Sequence, residues 1–184
     1  MIKITLYFRK QFMKTLYLFR HGDADENSSG PDYDRELTEK GRNYSAQLGH
    51  HLKETDTKID LMISSGAPRA KVTAEIAAGE IGYPAEDIAV EEMLYSSGNP
   101  EDILALLLNL SSGISSVMLV GHNPLLSDFI MYICSSCHGL SMKKSSVVKI
   151  EFDLPDWCSI GYRSGKLVYY KVSSRNGVED SMEQ

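Results

Sequence analysis

The sequence lacks the features that mark several large classes of protein: long apolar runs, an even set of cysteines and an excess of basic residues. None of its apolar runs approaches the ~20 residues of a membrane-spanning helix, and no apolar segment is followed by a small-residue cleavage site. Its three cysteines suit a reducing cytosol better than a disulfide-bonded secreted domain. We therefore expect a cytoplasmic protein without a membrane span or a disulfide framework.

The charge balance is acidic, with 19 basic against 25 acidic side chains and a net charge of −6. Nucleic-acid binders present a basic face, so this balance argues against a nucleic-acid partner. The acids are concentrated in one segment, which contains Asp23, Asp25, Glu26, Asp32, Asp34, Glu36 and Glu39 against the single base Arg35. We expect this segment to discourage bulky polyanions.

A chain of 184 residues suits one domain with a core that needs no disulfide or metal. We predict a single domain over residues 13–172 and a polar, disordered tail over residues 173–184. Residues 1–12 allow two interpretations. Their alternation of apolar and polar side chains is typical of an added edge strand, whereas Met13, directly before the first predicted strand, is a natural start position.

Strands and helices alternate along residues 13–135, which predicts a sheet covered by helices on both faces. Two later strands have no helix between them and are expected to pair antiparallel. The predicted fold class is α/β: a three-layer α/β/α sandwich around a mostly parallel central sheet with antiparallel late strands. The expected strands are residues 15–19, 60–63, 88–90, 117–120, 146–152 and 166–172; the expected helices are 37–53, 68–81 and 124–133, with one more opening at 99–100.

Basic side chains follow three of the predicted strands at the point where each strand ends. Arg20 and His21 follow the first strand, and Arg69 lies just beyond the second. His122 directly follows the fourth. In an open α/β sheet, ligands bind outside the carboxyl ends of the strands, so these side chains should converge on one crevice. The planar guanidinium group of an arginine can donate two parallel hydrogen bonds to the oxygens of one phosphate. The two arginines therefore predict a phosphate-sized anion as the ligand.

Each cluster alone is typical of a surface turn, but the four motifs in this order resemble the histidine phosphatase superfamily, which has the phosphoglycerate mutase-like fold. The motifs are Leu18-Phe19-Arg20-His21-Gly22, Leu37-Thr38-Glu39-Lys40-Gly41, Ser64-Ser65 leading to Pro68-Arg69-Ala70, and Val120-Gly121-His122-Asn123-Pro124. The short chain, and Asp23-Ala24 after the first glycine, look most like the small phosphohistidine phosphatase (SixA-type) branch. The resemblance covers residues 13–172.

The resemblance implies a role for each basic residue. His21 would be the nucleophile and would carry a transient phosphoryl group. Arg20, Arg69 and His122 would hold the phosphoryl oxygens and stabilise the charge of the transition state. No metal or other cofactor is expected, because the arginines supply the positive charge.

The resemblance leaves the general acid open. Relatives often use a Glu after the third strand, which makes Glu92 the first candidate and Asp23, two residues after the nucleophile, the second. Asn27 lies six residues after His21, where some relatives place a phosphate-binding Asn. Glu92, its neighbour Glu91 and Asp23 also fit the simpler interpretation of three solvated loop acids.

The predicted function is hydrolysis of a phosphoryl group through a phosphohistidine intermediate, with a phosphohistidine protein as the expected substrate. One alternative is the same chemistry on a small phosphorylated metabolite; a mutase is disfavoured because no lid-forming insertion is evident. Another is a catalytically silent phosphate-binding module. We expect neither a nucleic-acid nor a membrane partner, and the sequence does not fix the oligomeric state.

A second motif points elsewhere. Cys134-Ser135-Ser136-Cys137-His138 has the C-x-x-C-H spacing of c-type haem attachment and contains a C-x-x-C of redox or zinc sites. Haem attachment would require export, and zinc would need further ligands. Two buried structural cysteines after an apolar helix are the simpler interpretation.

Overall fold

The computed structural model describes residues 13–26, 29–95, 98–137 and 139–181. Over these ranges the chain forms seven strands in one sheet and four α-helices. In chain order they are β1 (Met13–Arg20), α1 (Glu39–Glu54), β2 (Leu61–Ser64), α2 (Pro68–Ile81), β3 (Ala89–Val90), α3 (Pro100–Leu108), β4 (Ser116–Gly121), α4 (Leu125–Ile133), β5 (Ser146–Asp153), β6 (Lys166–Ser174) and β7 (Gly177–Asp180).

The strand order across the sheet is β3-β2-β4-β1-β5-β6-β7. The strands β1 to β4 run parallel to one another, and β5 pairs antiparallel with β1. The next strand, β6, is antiparallel to β5 and so points the same way as β1. The mostly parallel sheet with antiparallel late strands is confirmed. Its carboxyl edge therefore brings together the ends of β1, β2, β4 and β6 and the start of β5.

The two faces of β1 explain the layers. Leu16 and Leu18 pack into an apolar cluster with the helices α3 and α4, which also buries Trp157. Tyr17 and Phe19 point the opposite way, into a second cluster with α1 and α2. Side chains alternate between the faces of a strand, so a strand that is apolar at every position must be covered on both sides. The predicted three-layer α/β/α sandwich is confirmed.

The helices begin where the sequence places their caps. The Thr38 side chain accepts a hydrogen bond from the Gly41 backbone N–H at the start of α1. Asn99 and Asp102 form a reciprocal capping box at the start of α3. Within the described residues, no helix is long and apolar enough to cross a membrane.

The prediction of a disordered tail is wrong for residues 173–181. The chain continues through the end of β6 and turns back as β7. This pairing is stabilised by polar contacts rather than by a continuous apolar pattern, which is why the sequence did not reveal it: Lys171 Nζ lies 3.0 Å from Asp180 Oδ2, and the Ser174 hydroxyl donates to Glu179 Oε1 over 2.7 Å. Residues 1–12 and 182–184 lie outside the described residues, so both interpretations of residues 1–12, an added edge strand and a start at Met13, stay open.

Candidate active site

The four basic residues that the sequence singled out lie together at the carboxyl edge of the sheet. Arg20 ends β1 and His21 follows it, while Arg69 is in the first turn of α2 and His122 directly follows β4. The ring centroids of His21 and His122 are 4.6 Å apart. His21, Arg69 and His122 are each at most 6% exposed. Buried charged and imidazole groups need specific partners, and these partners determine what the site can do.

The His21 ring is held as a neutral imidazole with a defined free nitrogen. Its Nδ1 lies 2.7 Å from the Gly22 carbonyl oxygen. A carbonyl oxygen only accepts, so Nδ1 carries the ring proton and Nε2 keeps its lone pair. Burial, assisted by the charges of Arg69 and Arg20 and opposed by the hydrogen bond to Gly22, lowers the pKa of His21 to about 3. At neutral pH the ring is therefore a nucleophile that needs no deprotonation.

The His122 ring, like that of His21, is kept neutral because its pKa is lowered. Its Nε2 lies 3.1 Å from the hydroxyl oxygen of Ser65, the residue that follows β2. Burial, followed by the neighbouring His21 and Arg69, lowers the pKa of His122 to about 2. A bound dianion would favour protonation of His122, because it supplies the opposite charge that this ring lacks.

Arg20 uses one donor within the protein and has a second donor with no partner among the described residues. One Nη1–H donates to the Met142 carbonyl oxygen, which also accepts from Asn123 Nδ2 over 2.9 Å. The Arg20 Nε is buried and has no hydrogen-bond partner among the described residues. A buried N–H without a partner is costly, and a phosphoryl oxygen would satisfy it.

Arg69 is held on one side by a carboxylate that the sequence analysis did not assign to the site. Its Nη2 lies 2.7 Å from Asp32 Oδ2, and its Nη1 donates to the main-chain carbonyls of Asp32 and Tyr33. The Asp32 carboxylate also accepts from Arg35, at 2.8 Å, and from the Tyr95 hydroxyl, at 2.9 Å. These hydrogen bonds, with the charge of Arg69, lower the pKa of Asp32 and keep it ionised. The D-x-x-R spacing of 32–35 indicates only the pair of Asp32 with Arg35, and no local signal identifies the contact of Asp32 with Arg69.

Two tyrosines form a wall next to these groups. The Tyr95 ring meets the His122 ring edge to face at a centroid distance of 5.1 Å, and the Arg69 Cζ lies 5.6 Å from its centroid. Tyr33 packs edge to face on Tyr95 at 4.9 Å. Aromatic contacts of this kind limit the movement of the imidazole and guanidinium planes.

The motif glycines are explained by a close approach of two chain segments. A Cβ on Gly22 would lie 2.6 Å from the Gly41 carbonyl oxygen, and one on Gly41 would collide with the Asp23 carbonyl. Thr73 of α2 joins the same region: its hydroxyl accepts from the Gly22 N–H at 3.1 Å and donates to the Arg69 carbonyl at 2.7 Å. The backbone next to the nucleophile is thereby fixed to both α1 and α2.

Glu92 lies at the rim, beside the aromatic wall. Its two carboxylate oxygens are each 3.1 Å from the Tyr33 hydroxyl, and its carboxyl group covers the face of Gly66, where a Cβ would collide with it. Gly66 follows Ser65, the partner of His122. The structure thus brings Glu92 to the edge of the site and not into contact with the His21 ring.

Asp23 is tied to lysines instead. Its carboxylate lies 3.2 Å from Lys144 Nζ and 3.4 Å from Lys40 Nζ. Burial raises the pKa of Asp23, but the hydrogen bonds and charges of the two lysines outweigh burial, and the net pKa is lowered. Two salt bridges oppose protonation of this carboxylate, which disfavours Asp23 as the general acid.

Asn27 lies outside the described residues, so its predicted phosphate contact stays a prediction.

Cys134 and Cys137 are both buried in the apolar cluster under α4 and are free thiols, and His138 lies outside the described residues. Across the described ranges, no group of three or more His, Cys, Asp or Glu side chains could hold a metal ion. The packing of both cysteines in the core is what the simpler interpretation of this motif requires.

Comparisons with known proteins agree with this geometry. The family profile of the histidine phosphatase superfamily (branch 1) matches residues 16–95. An uncharacterised protein from Picosynechococcus sp. is 32% identical over 138 residues, which cover 72% of this chain and 82% of the relative. The phosphohistidine phosphatase SixA of Escherichia coli is 25% identical over 139 residues, covering 75% of this chain and 85% of that protein.

The solved structure of the protein histidine phosphatase SixA complexed with tungstate has the same fold. It superposes with a TM-score of 0.75 at 24% identity, covering 85% of this chain and 95% of that one. The fold, the family profile and the ordered motifs lead to one conclusion: the chain belongs to the histidine phosphatase superfamily.

Proposed function

We propose that this protein is a metal-independent phosphatase in which His21 accepts a phosphoryl group and then releases it to water. The observation that carries this proposal is the His21 ring itself: a buried neutral imidazole whose Nδ1 is bound to Gly22, leaving Nε2 as the free nitrogen. A module that only binds phosphate would need the arginines but not an oriented nucleophile. We therefore set the silent phosphate-binding alternative aside.

The reaction has two steps. In the first, Nε2 of His21 attacks phosphorus, the P–N bond forms and the bond to the leaving group breaks. In the second, water attacks the phosphohistidine, the P–N bond breaks and orthophosphate leaves. Arg20 Nε, the free N–H groups of Arg69 and the His122 ring would hold the three non-reacting oxygens, where negative charge is concentrated in both transition states.

We propose Glu92 as the general acid that gives a proton to the leaving group and takes one from the attacking water. Its support is its position at the rim of the site, next to the aromatic wall. A phosphohistidine or acyl phosphate needs little help from an acid, so a rim position is sufficient for such substrates.

We propose a phosphohistidine protein as the substrate. The similarity to the E. coli phosphohistidine phosphatase SixA supports this choice. The three cysteines, all free thiols, support the proposal that the protein works in the cytoplasm. Small phosphate esters remain the alternative substrate class.

The test compares turnover of a histidine-phosphorylated protein with that of a panel of sugar and nucleotide phosphates. We expect the phosphoprotein to have the highest kcat/KM, and His21→Ala to lower it by at least about a thousandfold through loss of the covalent route. His50→Ala, an exposed histidine on α1, is the matched control and should leave turnover unchanged. Turnover that survives His21→Ala would refute the mechanism, and a preference for a small ester would refute the substrate.

A further inference from the structure

A cavity of about 370 Å³ lies on the α1 side of the sheet edge, and Asp23 of the loop after β1 is part of its lining. It is an open depression lined by the segment before β5, by the first turns of α1 and by the β6–β7 hairpin. Lys40, Lys143, Lys144 and Arg175 line it together with Asp23, Glu179 and Asp180. Because β6 points the same way as β1, this cavity opens at the edge of the sheet that carries His21.

The cavity shares part of its wall with the catalytic residues. The backbone N–H of Ser145 donates to the His21 carbonyl oxygen at 3.0 Å. Lys144 binds Asp23, two residues after His21, and its positive charge contributes to the lowered pKa of His21. The cavity wall and the loop that carries His21 are therefore joined through Ser145 and Lys144.

The acids of the cavity wall already have partners. Asp23 is bound to Lys40 and Lys144, Glu179 accepts from the Ser174 hydroxyl at 2.7 Å, and Asp180 lies 3.0 Å from Lys171. Their negative charge is therefore largely balanced.

Two of the basic side chains that line the cavity have no acidic partner among the described residues. Lys143 and Arg175 are exposed, and within the described ranges neither side chain makes an ion pair. The Ser145 hydroxyl, on a residue that is 2% exposed, is buried with no partner among the described residues. Ser145 also has a backbone φ of 52°, a conformation that a residue with a side chain rarely adopts. Two unpaired cations and one unsatisfied hydroxyl are the complement of an anionic group with several acceptor oxygens.

We propose that this cavity is a substrate subsite that binds a second anionic group, a carboxylate or phosphoryl group, of the molecule whose phosphoryl group reacts at His21. The proposal rests on the proposed function and adds a selection rule to it. Substrates with an acidic group close to the phosphorylated residue bind better than those without one. The anionic group has two sources, an acidic side chain in a phosphoprotein or an acidic substituent on a small phosphate ester.

Two matched pairs of substrates distinguish these sources. One pair is a phosphohistidine peptide flanked by three Asp or by three Asn; the other is phosphoserine and phosphoethanolamine, which differ by one carboxylate. We expect the wild-type KM to be about fivefold lower for the acidic member of at least one pair, since each exposed charge contributes modestly. The pair that shows the preference identifies the source.

The double variant Lys143→Ala/Arg175→Ala should abolish this preference. The double variant Lys58→Ala/Lys166→Ala removes the same charge from exposed lysines away from the cavity and should retain it. No preference in the wild-type protein, or a preference that survives loss of Lys143 and Arg175, would overturn the subsite.

A binding measurement separates the failure of the subsite from the failure of the proposed function. The unphosphorylated Asp-flanked peptide, followed by fluorescence anisotropy, tests the cavity without chemistry. If no substrate is turned over but this peptide binds more weakly to Lys143→Ala/Arg175→Ala than to the control variant, the proposed function fails and the anion site stands. Equal binding to both variants contradicts the site.

Discussion

At the residue scale, the acids near His21 serve mainly as partners of cations. The sequence predicted that the segment 23–39 repels bulky polyanions. In the structure, Asp32 is bound to Arg69 and Arg35, and Glu26 lies 2.7 Å from Lys144. Paired carboxylates contribute little to a repulsive field, so repulsion by these acids is not supported. Asp32 instead fixes the orientation of a guanidinium that should contact phosphate.

We predict that Asp32→Asn lowers kcat about tenfold with a smaller change in KM, because a misplaced guanidinium costs transition-state stabilisation. Steady-state kinetics on one phosphorylated substrate measures both constants. The free energy of unfolding should change by less than about 1 kcal/mol, because the lost carboxylate is exposed. Asp34→Asn, an exposed acid of the same segment, is the control. A rise in kcat for Asp32→Asn would restore the repulsion hypothesis.

The expected effect of Glu92→Gln on kcat depends on the leaving group of the substrate. Glu92→Gln should lower kcat for an alkyl phosphate by about 100-fold and for a phosphohistidine peptide by only a few-fold, because general acid catalysis matters most for a poor leaving group. Asp23→Asn should show no such dependence on the leaving group, since lysines keep that carboxylate ionised. Equal losses for both substrates in Glu92→Gln would indicate a structural role.

At the scale of elements, the site depends on how closely α1 approaches the loop after β1. Gly41 of α1 faces the Asp23 carbonyl without room for a Cβ, whereas Gly79 of α2 has no heavy atom within 4 Å of its Cβ position. The two glycines are in helices, so both gain helix propensity when replaced by alanine. They differ in the space around them.

We predict that Gly41→Ala lowers the free energy of unfolding by about 1–3 kcal/mol through overpacking, and that it also lowers kcat by moving the backbone beside His21. Gly79→Ala should raise the free energy of unfolding by about 0.5–1 kcal/mol. Urea denaturation of both variants measures the difference. A neutral Gly41→Ala would show that the loop moves freely away from α1.

The elements that could be predicted from the sequence are those whose apolar run or helix cap lies within a few consecutive residues. The buried strand β4 is continuously apolar, and α1 has a Thr38 cap, so each is visible in a short window. The strand β7 is polar and is held by cross-strand contacts such as Lys171 with Asp180, which no local pattern reveals. The same distinction applies to the site. His21 lies in a strong motif, while the pairing of Arg69 with Asp32 joins residues 37 positions apart.

At the scale of the whole molecule, two buried neutral histidines link stability to pH. The pKa of His21 is lowered to about 3 and that of His122 to about 2, from an ordinary value of 6.5. Between pH 6.5 and about 3, the unfolded chain binds protons at both positions while the folded protein does not. The free energy of unfolding is therefore highest above pH 6.5 and falls as the pH decreases through this window.

We predict that the free energy of unfolding falls on the order of 3 kcal/mol between pH 7 and pH 5. Urea denaturation at the two pH values measures this change. His122→Gln should lose about half of the pH dependence, whereas His50→Ala, an exposed histidine, should keep all of it. Identical unfolding curves at pH 7 and pH 5 would show that these rings are not held neutral.

The central claim is that His21 carries the phosphoryl group on Nε2, because Nδ1 is bound to the Gly22 carbonyl. The most direct test is to react the protein with labelled acetyl phosphate, quench it in alkali, and identify the phosphorylated atom by phosphorus–nitrogen NMR of the isolated peptide. The account predicts an alkali-stable, acid-labile phosphate on Nε2 of His21 that is absent from His21→Ala. A phosphate on Nδ1, or on any other residue, would contradict it.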